Sequence, residues 1–269
     1  MRAKAKRKTS DTPKKIAGVL RAIAGKPHPK NFTSVVICAA GSSTRMGSDT
    51  TKQFIMLDGI PVVARTLMTY QATDCIHEIV VVAKADEIPL YEKLKETYGI
   101  TKLTQVVEGG ETRQISARLG SDVVDKRTKY IAVADAARCL ITKDEIERVC
   151  RAAYQWGAAT AAVKAYDTVK IADKSGFIID TPDRSQVWLA QTPQVFKTNI
   201  YRAAAYACRD EDFTATDDNQ MAEHLHIPVK LVLCRRENIK ITEPSDLVYA
   251  HAVLTARAKA AKKSTEDRP

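Results

Sequence analysis

Two periods of apolar spacing alternate along this chain. Short β-branched runs (Val35–Ile37, Glu78–Ala83, Leu103–Val107, Lys129–Val133, 158–163 and Val229–Cys234) read as buried strands. Between them, apolar positions return every three or four residues, as on a helix packed by one face. The first helix starts at Pro61 and places Val63, Leu67 and Tyr70 on one side; others are read over 87–97, 143–156, 198–208 and 219–225. Pro244 opens the last, with Leu247, Ala250 and Leu254 facing inward. Strand–helix alternation of this kind predicts an α/β fold, Rossmann-like, with a mostly parallel central sheet covered by helices.

The alternation breaks once. Asp167–Ile171, the turn Lys174-Ser175-Gly176, Phe177–Ile179 and the stretch TPDRSQVW read as a projecting β-arm over about 165–190. Two short strands bury no core of their own, so the arm is expected to pack on something, a second subunit being the natural choice. No internal repeat is present, and the division expected is an extension over 1–31, one compact domain over 32–256 and a tail over 257–269.

The most informative stretch is SVVICAAGSSTRMGSDTTKQF, from Ser34 to Phe54. A strand gives way to Ala39, Ala40, Gly41, Ser42 and Ser43, then to two spaced cations, Arg45 and Lys52. Small residues let backbone N–H groups approach an anion, and the cations neutralise charge that builds up in phosphoryl chemistry. The plain alternative is a strand, a turn and two solvated charges, since the spacing is neither that of a dinucleotide fingerprint nor that of a Walker loop. Further on, the strand at Lys129–Val133 ends in Asp135-Ala136-Ala137-Arg138. A carboxylate and a guanidinium just past a strand's carboxyl end lie where open α/β sheets bind ligands.

Charge changes the picture little. The formal net charge is +10, yet residues 1–31 carry ten Lys or Arg against Asp11 alone, and residues 257–269 carry five against Glu266 and Asp267. The body between them is slightly acidic, so neither nucleic acid nor membrane is expected as its partner. Within the first segment Ile16, Val19, Leu20 and Ile23 fit a short basic amphipathic helix, which leaves open a docking element, a transit peptide or a solubilising tail. No apolar run has the length of a membrane span, and the six cysteines form no C-x-x-C pair, so a cytoplasmic protein with reduced thiols is expected, a plastid location being second. The five histidines match no motif.

Taken in order, AAGSSTRMG…KQF, EGGETRQIS, DAAR, DTVK, TPDR…W…QTPQVF, TDD and NIKITEPSDL resemble the 2-C-methyl-D-erythritol 4-phosphate cytidylyltransferases of the non-mevalonate isoprenoid pathway. The resemblance covers about residues 34–254. It implies transfer of a cytidylyl group from CTP, as co-substrate, to methylerythritol phosphate with release of pyrophosphate, assisted by Mg²⁺. It implies Arg45 and Lys52 on the α-phosphate and leaving group, and Arg184 and Lys240 on the attacking phosphate. Ala39, Ala40 and Gly41 would lie along the nucleotide, and Gly110, Glu111 and Ser116 would read the cytosine. Asp135 and Arg138 would stand at the reaction centre, with Asp135 holding either the metal or the sugar hydroxyls. Thr168, Thr192 and Thr216 would line the polyol pocket. The resemblance also implies a homodimer whose arm, with Thr168 and Arg184, reaches the partner's site.

The chain departs from the family pattern at Ser43 and Thr51 in the loop, and at Ile115, Ala134 and Cys139 around the base and sugar pockets. Those positions bear on which polyol is accepted, so a ribitol-5-phosphate cytidylyltransferase is the alternative, although DAAR favours methylerythritol phosphate. A binding or scaffold protein acting through its basic ends is the alternative from another class.

Overall fold

The structure, a computed structural model, describes residues 29–41 and 52–266, with the side chains of Lys52 and of residues 264–266 excepted. Arg45, Ser43, Thr51 and the helix read over Ile16–Ile23 lie outside the described residues. Seven strands form the main sheet: β1 (Thr33–Cys38), β4 (Glu78–Ala83), β5 (Leu103–Glu108), β6 (Tyr130–Asp135), β7 (Ala158–Lys164), β10 (Trp188–Lys197) and β11 (Lys230–Leu233). Their order is β11-β7-β10-β6-β1-β4-β5, and β10 alone runs antiparallel to its neighbours. This is the α/β sheet that the apolar pattern predicts. β1 and β4 are buried along nearly their whole length because helices cover both faces, which is why they read as continuous apolar runs.

The helices are α1 (Val62–Gln71), α2 (Ile88–Tyr98), α3 (Arg113–Asp122), α4 (Lys143–Trp156), α5 (Thr198–Asp210), α6 (Asp218–His224) and α7 (Pro244–Glu266). α4 starts on a complete capping box, Thr142 with Glu145. α3 lies directly on the sheet: a Cβ at Gly120 would come within 2.4 Å of Val36 and 2.6 Å of Val82. That close approach lays the second half of α3 directly on β1 and β4. α7 packs Ala250 and, partly buried, Leu247 and Leu254 against Leu57, Val62, Leu140 and Ile241. It continues as helix to Glu266, and Arg257 donates to the Leu140 carbonyl at 2.8 Å. Among the described residues no helix is long and apolar enough to cross a membrane.

Two elements were not expected. A hairpin, β2 (Met56–Leu57) and β3 (Ile60–Pro61), turns at Asp58 and Gly59, both at positive φ. More consequential is β10, which carries the chain from the arm straight into the middle of the sheet. Its QTPQ stretch has no β-branched alternation, and the register with β7 breaks between Ala190 and Gln194. Gln191, Thr192 and Gln194 are nonetheless buried, because each finds a hydrogen-bonding partner inside.

The arm itself is β8 (Ile171–Ala172) paired with β9 (Ile178–Asp180), shorter strands than the pattern over Asp167–Ile171 predicts. Tyr166, Ile171, Phe177, Ile178 and Ile179 are all exposed on it.

Candidate active site

In chain order the parallel strands run outward from β1 through β4 to β5, and on the other side from β6. The β1–β6 boundary is therefore the place where connections diverge and leave a crevice at the carboxyl ends. Cys38 and Asp135 face each other across it in register. A cleft of about 440 Å³ opens here, lined by the Cys38–Gly41 edge, Gln53, Lys84, the 110–113 turn, Ser116, the Asp135–Ala137 edge and Lys240.

Glycine shapes one wall. A Cβ at Gly109 would lie 2.4 Å from the Ala40 Cβ and 2.8 Å from the Ser116 hydroxyl, so the turn can reach the Ala40 edge only without a side chain. Ser116 secures the next residue, accepting from the Gly110 N–H at 3.1 Å. Thr112 caps α3 by accepting from the Ile115 N–H at 3.1 Å. Gly109→Ala is expected to weaken ligand binding in the cleft about tenfold or more while leaving a folded protein, because the new methyl must push the cleft edge aside. Calorimetric titration with CTP, the ligand that the sequence resemblance implies, checks it.

Asp135 is the electrostatic centre. It is 6% exposed, and its carboxylate meets Arg138 at 3.2 Å, Lys240 at 3.3 Å and Arg113 at 3.5 Å. Burial alone would raise its pKa, but Lys240, Arg113 and Arg138 outweigh it and lower the carboxyl to about 2. Its backbone N–H donates to the Thr192 hydroxyl at 3.0 Å, which ties the end of β6 to β10. Arg138 also donates to the Asn238 carbonyl at 2.8 Å, and the buried Asn238 amide donates to Gln191 and to the Thr192 carbonyl, both at 3.1 Å. This fastens the NIK turn, and so Lys240, over the cleft.

Arg113 continues the network inward. It reaches Asp218 at 2.7 Å, and that carboxylate accepts from Tyr201 at 3.1 Å while its backbone N–H donates to Gln194 at 2.9 Å. Burial pushes the Asp218 carboxyl up, and Arg113 offsets only part of that rise. Burial opposes the charge on Arg113 too, yet Asp218 and Asp135 hold it firmly protonated. Cys38 is no nucleophile, since burial pushes its thiol up to about 12.

Of the residues singled out in the sequence, Ala39, Ala40, Gly41, Gly110, Glu111, Ser116, Asp135 and Lys240 line this cleft, and Arg138 is bonded to Asp135 behind it. Thr192 is buried against Asp135 and is absent from the lining. Thr216 is exposed and donates to Gln220 at 3.0 Å at the start of α6. Thr168 and Arg184 lie exposed on the arm, where Arg184 donates to the Tyr166 carbonyl at 2.9 Å. Lys52 opens the 3₁₀ turn Lys52–Phe54. Arg113, Asp218, Gln53, Lys84 and Asn238 carry no assigned role on the sequence alone. Four of these fall inside the quoted motifs TRQIS, TDD, KQF and NIK, which was the available signal; Lys84 had none.

Fold and cleft together define a Rossmann-like α/β protein with a cationic pocket at the carboxyl edge of its sheet. Comparison with known proteins narrows this. The family model described as 2-C-methyl-D-erythritol 4-phosphate cytidylyltransferase matches residues 33–256. The chain is 41% identical over 226 residues to the protein of that name from Alkaliphilus oremlandii, covering 84% of this chain and 96% of the relative. It is 40% identical over 222 residues to the one from Caldanaerobacter subterraneus, covering 82% and 98%. Among solved structures, the 4-diphosphocytidyl-2C-methyl-D-erythritol synthase from Anaerococcus prevotii superposes with a TM-score of 0.75 at 30% identity, covering 84% of this chain and 96% of that one. The Thermus thermophilus 2-C-methyl-D-erythritol 4-phosphate cytidylyltransferase gives 0.68 at 28% identity, covering 82% and 98%. The chain belongs to the 2-C-methyl-D-erythritol 4-phosphate cytidylyltransferase family.

Proposed function

We propose that this protein transfers the cytidylyl group of CTP to 2-C-methyl-D-erythritol 4-phosphate and releases pyrophosphate, as a step in isoprenoid precursor biosynthesis. The observation that carries the reading is the convergence of Lys240, Arg138 and Arg113 on Asp135, beside the Ala39–Gly41 edge of β1. A phosphate oxygen of the acceptor attacks the α-phosphorus of CTP and the bond to the pyrophosphate oxygen breaks. No covalent intermediate is required of the protein; its work is positioning and charge stabilisation.

In this reading Ala39, Ala40 and Gly41 present backbone to the triphosphate, and Arg45 and Lys52 stabilise the α-phosphate and the leaving group. Gly110, Glu111 and Ser116 read the base. Lys240 takes the attacking phosphate together with Arg184, Thr168 and Thr216 serve the polyol, and Thr192, buried against Asp135, holds in place the strand end that carries that carboxylate. Asp135 keeps Lys240 aimed into the cleft, with Arg138 bonded to it from behind, and is the residue that would hold Mg²⁺. Among the described residues no three His, Cys, Asp or Glu side chains cluster as a metal cage. A single buried carboxylate fits an ion that arrives on substrate phosphates and supplies charge neutralisation there.

The exposed apolar arm supports a homodimer with exchanged arms. Co-expressing Arg184→Ala with Asp135→Asn would then give mixed dimers with one intact site each, and about a quarter of wild-type activity returns from two nearly inactive parents. Absence of any recovery contradicts the exchange. Substrate identity is tested by pyrophosphate release with CTP, UTP or ATP against methylerythritol phosphate or ribitol 5-phosphate. CTP with methylerythritol phosphate is expected to be fastest, and a preference for ribitol phosphate overturns the assignment.

A further inference from the structure

Gln53 lines the cleft yet is only 2% exposed, and both N–H bonds of its side-chain amide are committed. Nε2 donates to the Ala39 carbonyl at 2.6 Å and to the Glu87 carboxylate at 3.2 Å. Both partners are acceptors, so they fix which way the amide faces: its two N–H bonds serve the two oxygens. Ala39 is anchored from its other side, its N–H donating to the Val82 carbonyl at 2.7 Å. Glu87 is itself 4% exposed, and a buried carboxylate needs such a donor. Phe54, the next residue, packs edge-on against Tyr91 of α2, ring centres 5.2 Å apart.

The chain therefore leaves β1 after Cys38, and Gln53 ties the later backbone back to the next residue, Ala39. Lys52 is joined to Gln53 by one peptide bond, at the head of the same 3₁₀ turn. We infer that Gln53, held by Glu87, is a positioning residue for cytidylyl transfer, fixing the backbone that carries Lys52 relative to the Ala39 edge of the cleft. The inference rests on the reading of Lys52 as a phosphate-stabilising cation. Gln53 touches no reacting atom in this scheme; it acts through its neighbour. A displacement of about 1 Å in such a group costs about 100-fold in rate.

The test is a double-mutant cycle in the full-length protein, with kcat, the KM for CTP and the thermal midpoint read for each variant. Gln53→Glu turns the amide into an acceptor facing two acceptors. Gln53→Met removes the donors without adding charge and serves should the first variant fold poorly. Either is expected to lower kcat about 100-fold with a much smaller change in the KM for CTP. Adding Glu87→Gln to Gln53→Glu supplies a donor again and is expected to recover part of kcat. On a Lys52→Ala background, the Gln53 change is expected to lower kcat no further, which a general structural role would not produce. Losses that multiply across the two positions, or an unchanged kcat in Gln53→Met, overturn the inference while leaving Lys52 its role. Full turnover by Lys52→Ala alone overturns the reading of Lys52, and this inference with it.

Discussion

Asp135→Asn is expected to lower turnover by about 100-fold or more while the fold persists. The amide cannot hold Arg138, Lys240 and Arg113 as the carboxylate does, so three cations are left converging on a neutral group and move apart. The pH dependence of stability carries a second signature. With its carboxyl lowered to about 2 in the folded protein, Asp135 contributes stability above the ordinary carboxylate range and loses it as pH falls toward 2. The shift from 3.8 corresponds to about 2 kcal/mol. Denaturant titrations at neutral pH and in acid should show the wild type losing that much more than Asp135→Asn. Equal acid sensitivity in the two proteins contradicts the electrostatic account of the site.

Arg113→Leu is expected to cost about 3–5 kcal/mol, since it leaves Asp218 buried with no cation against it. Because the folded carboxyl of Asp218 is already raised, its neutral form favours the fold. Removing Arg113 raises it further, so the variant should gain stability relative to wild type as pH falls from neutral into the acid range, and lose it as pH rises through the new pKa. Adding Asp218→Asn removes the charge and should restore much of the loss, as thermal melts across pH would reveal. A single variant as stable as wild type at neutral pH shows that the pair does not hold the start of α3 in place. Activity should fall as well, because Arg113 is also a partner of Asp135.

These two residues mark how far the sequence could be read. Asp135 was legible because a carboxylate directly after a buried strand has few structural uses and one common functional one. The Ala39–Gly41 edge was legible for a similar reason, as small residues after a β-branched run signal close backbone approach. Arg113 and Asp218 were visible only as members of longer motifs. Their partnership joins positions 105 residues apart, and it exists because α3 lies flat on the sheet at Gly120 while α6 starts beside β10. β10 itself was hidden by its buried glutamines, which look like loop residues until their hydrogen bonds are known. The clamp at Gln53 was hidden in the same way: one polar side chain beside a conspicuous lysine, whose meaning depends on a carbonyl and a carboxylate brought to it by the fold.

In the proposed reaction the cleft at the carboxyl edge of β1 and β6 joins a cytidylyl group to methylerythritol phosphate. Phosphorus NMR of the protein with CTP, methylerythritol phosphate and Mg²⁺ tests it most directly. The three CTP resonances are expected to give way to pyrophosphate and to the paired resonances of a new diphosphate diester in equal amounts, and Asp135→Asn is expected to slow this conversion. Unchanged CTP, or its breakdown to orthophosphate without a diester, would contradict it.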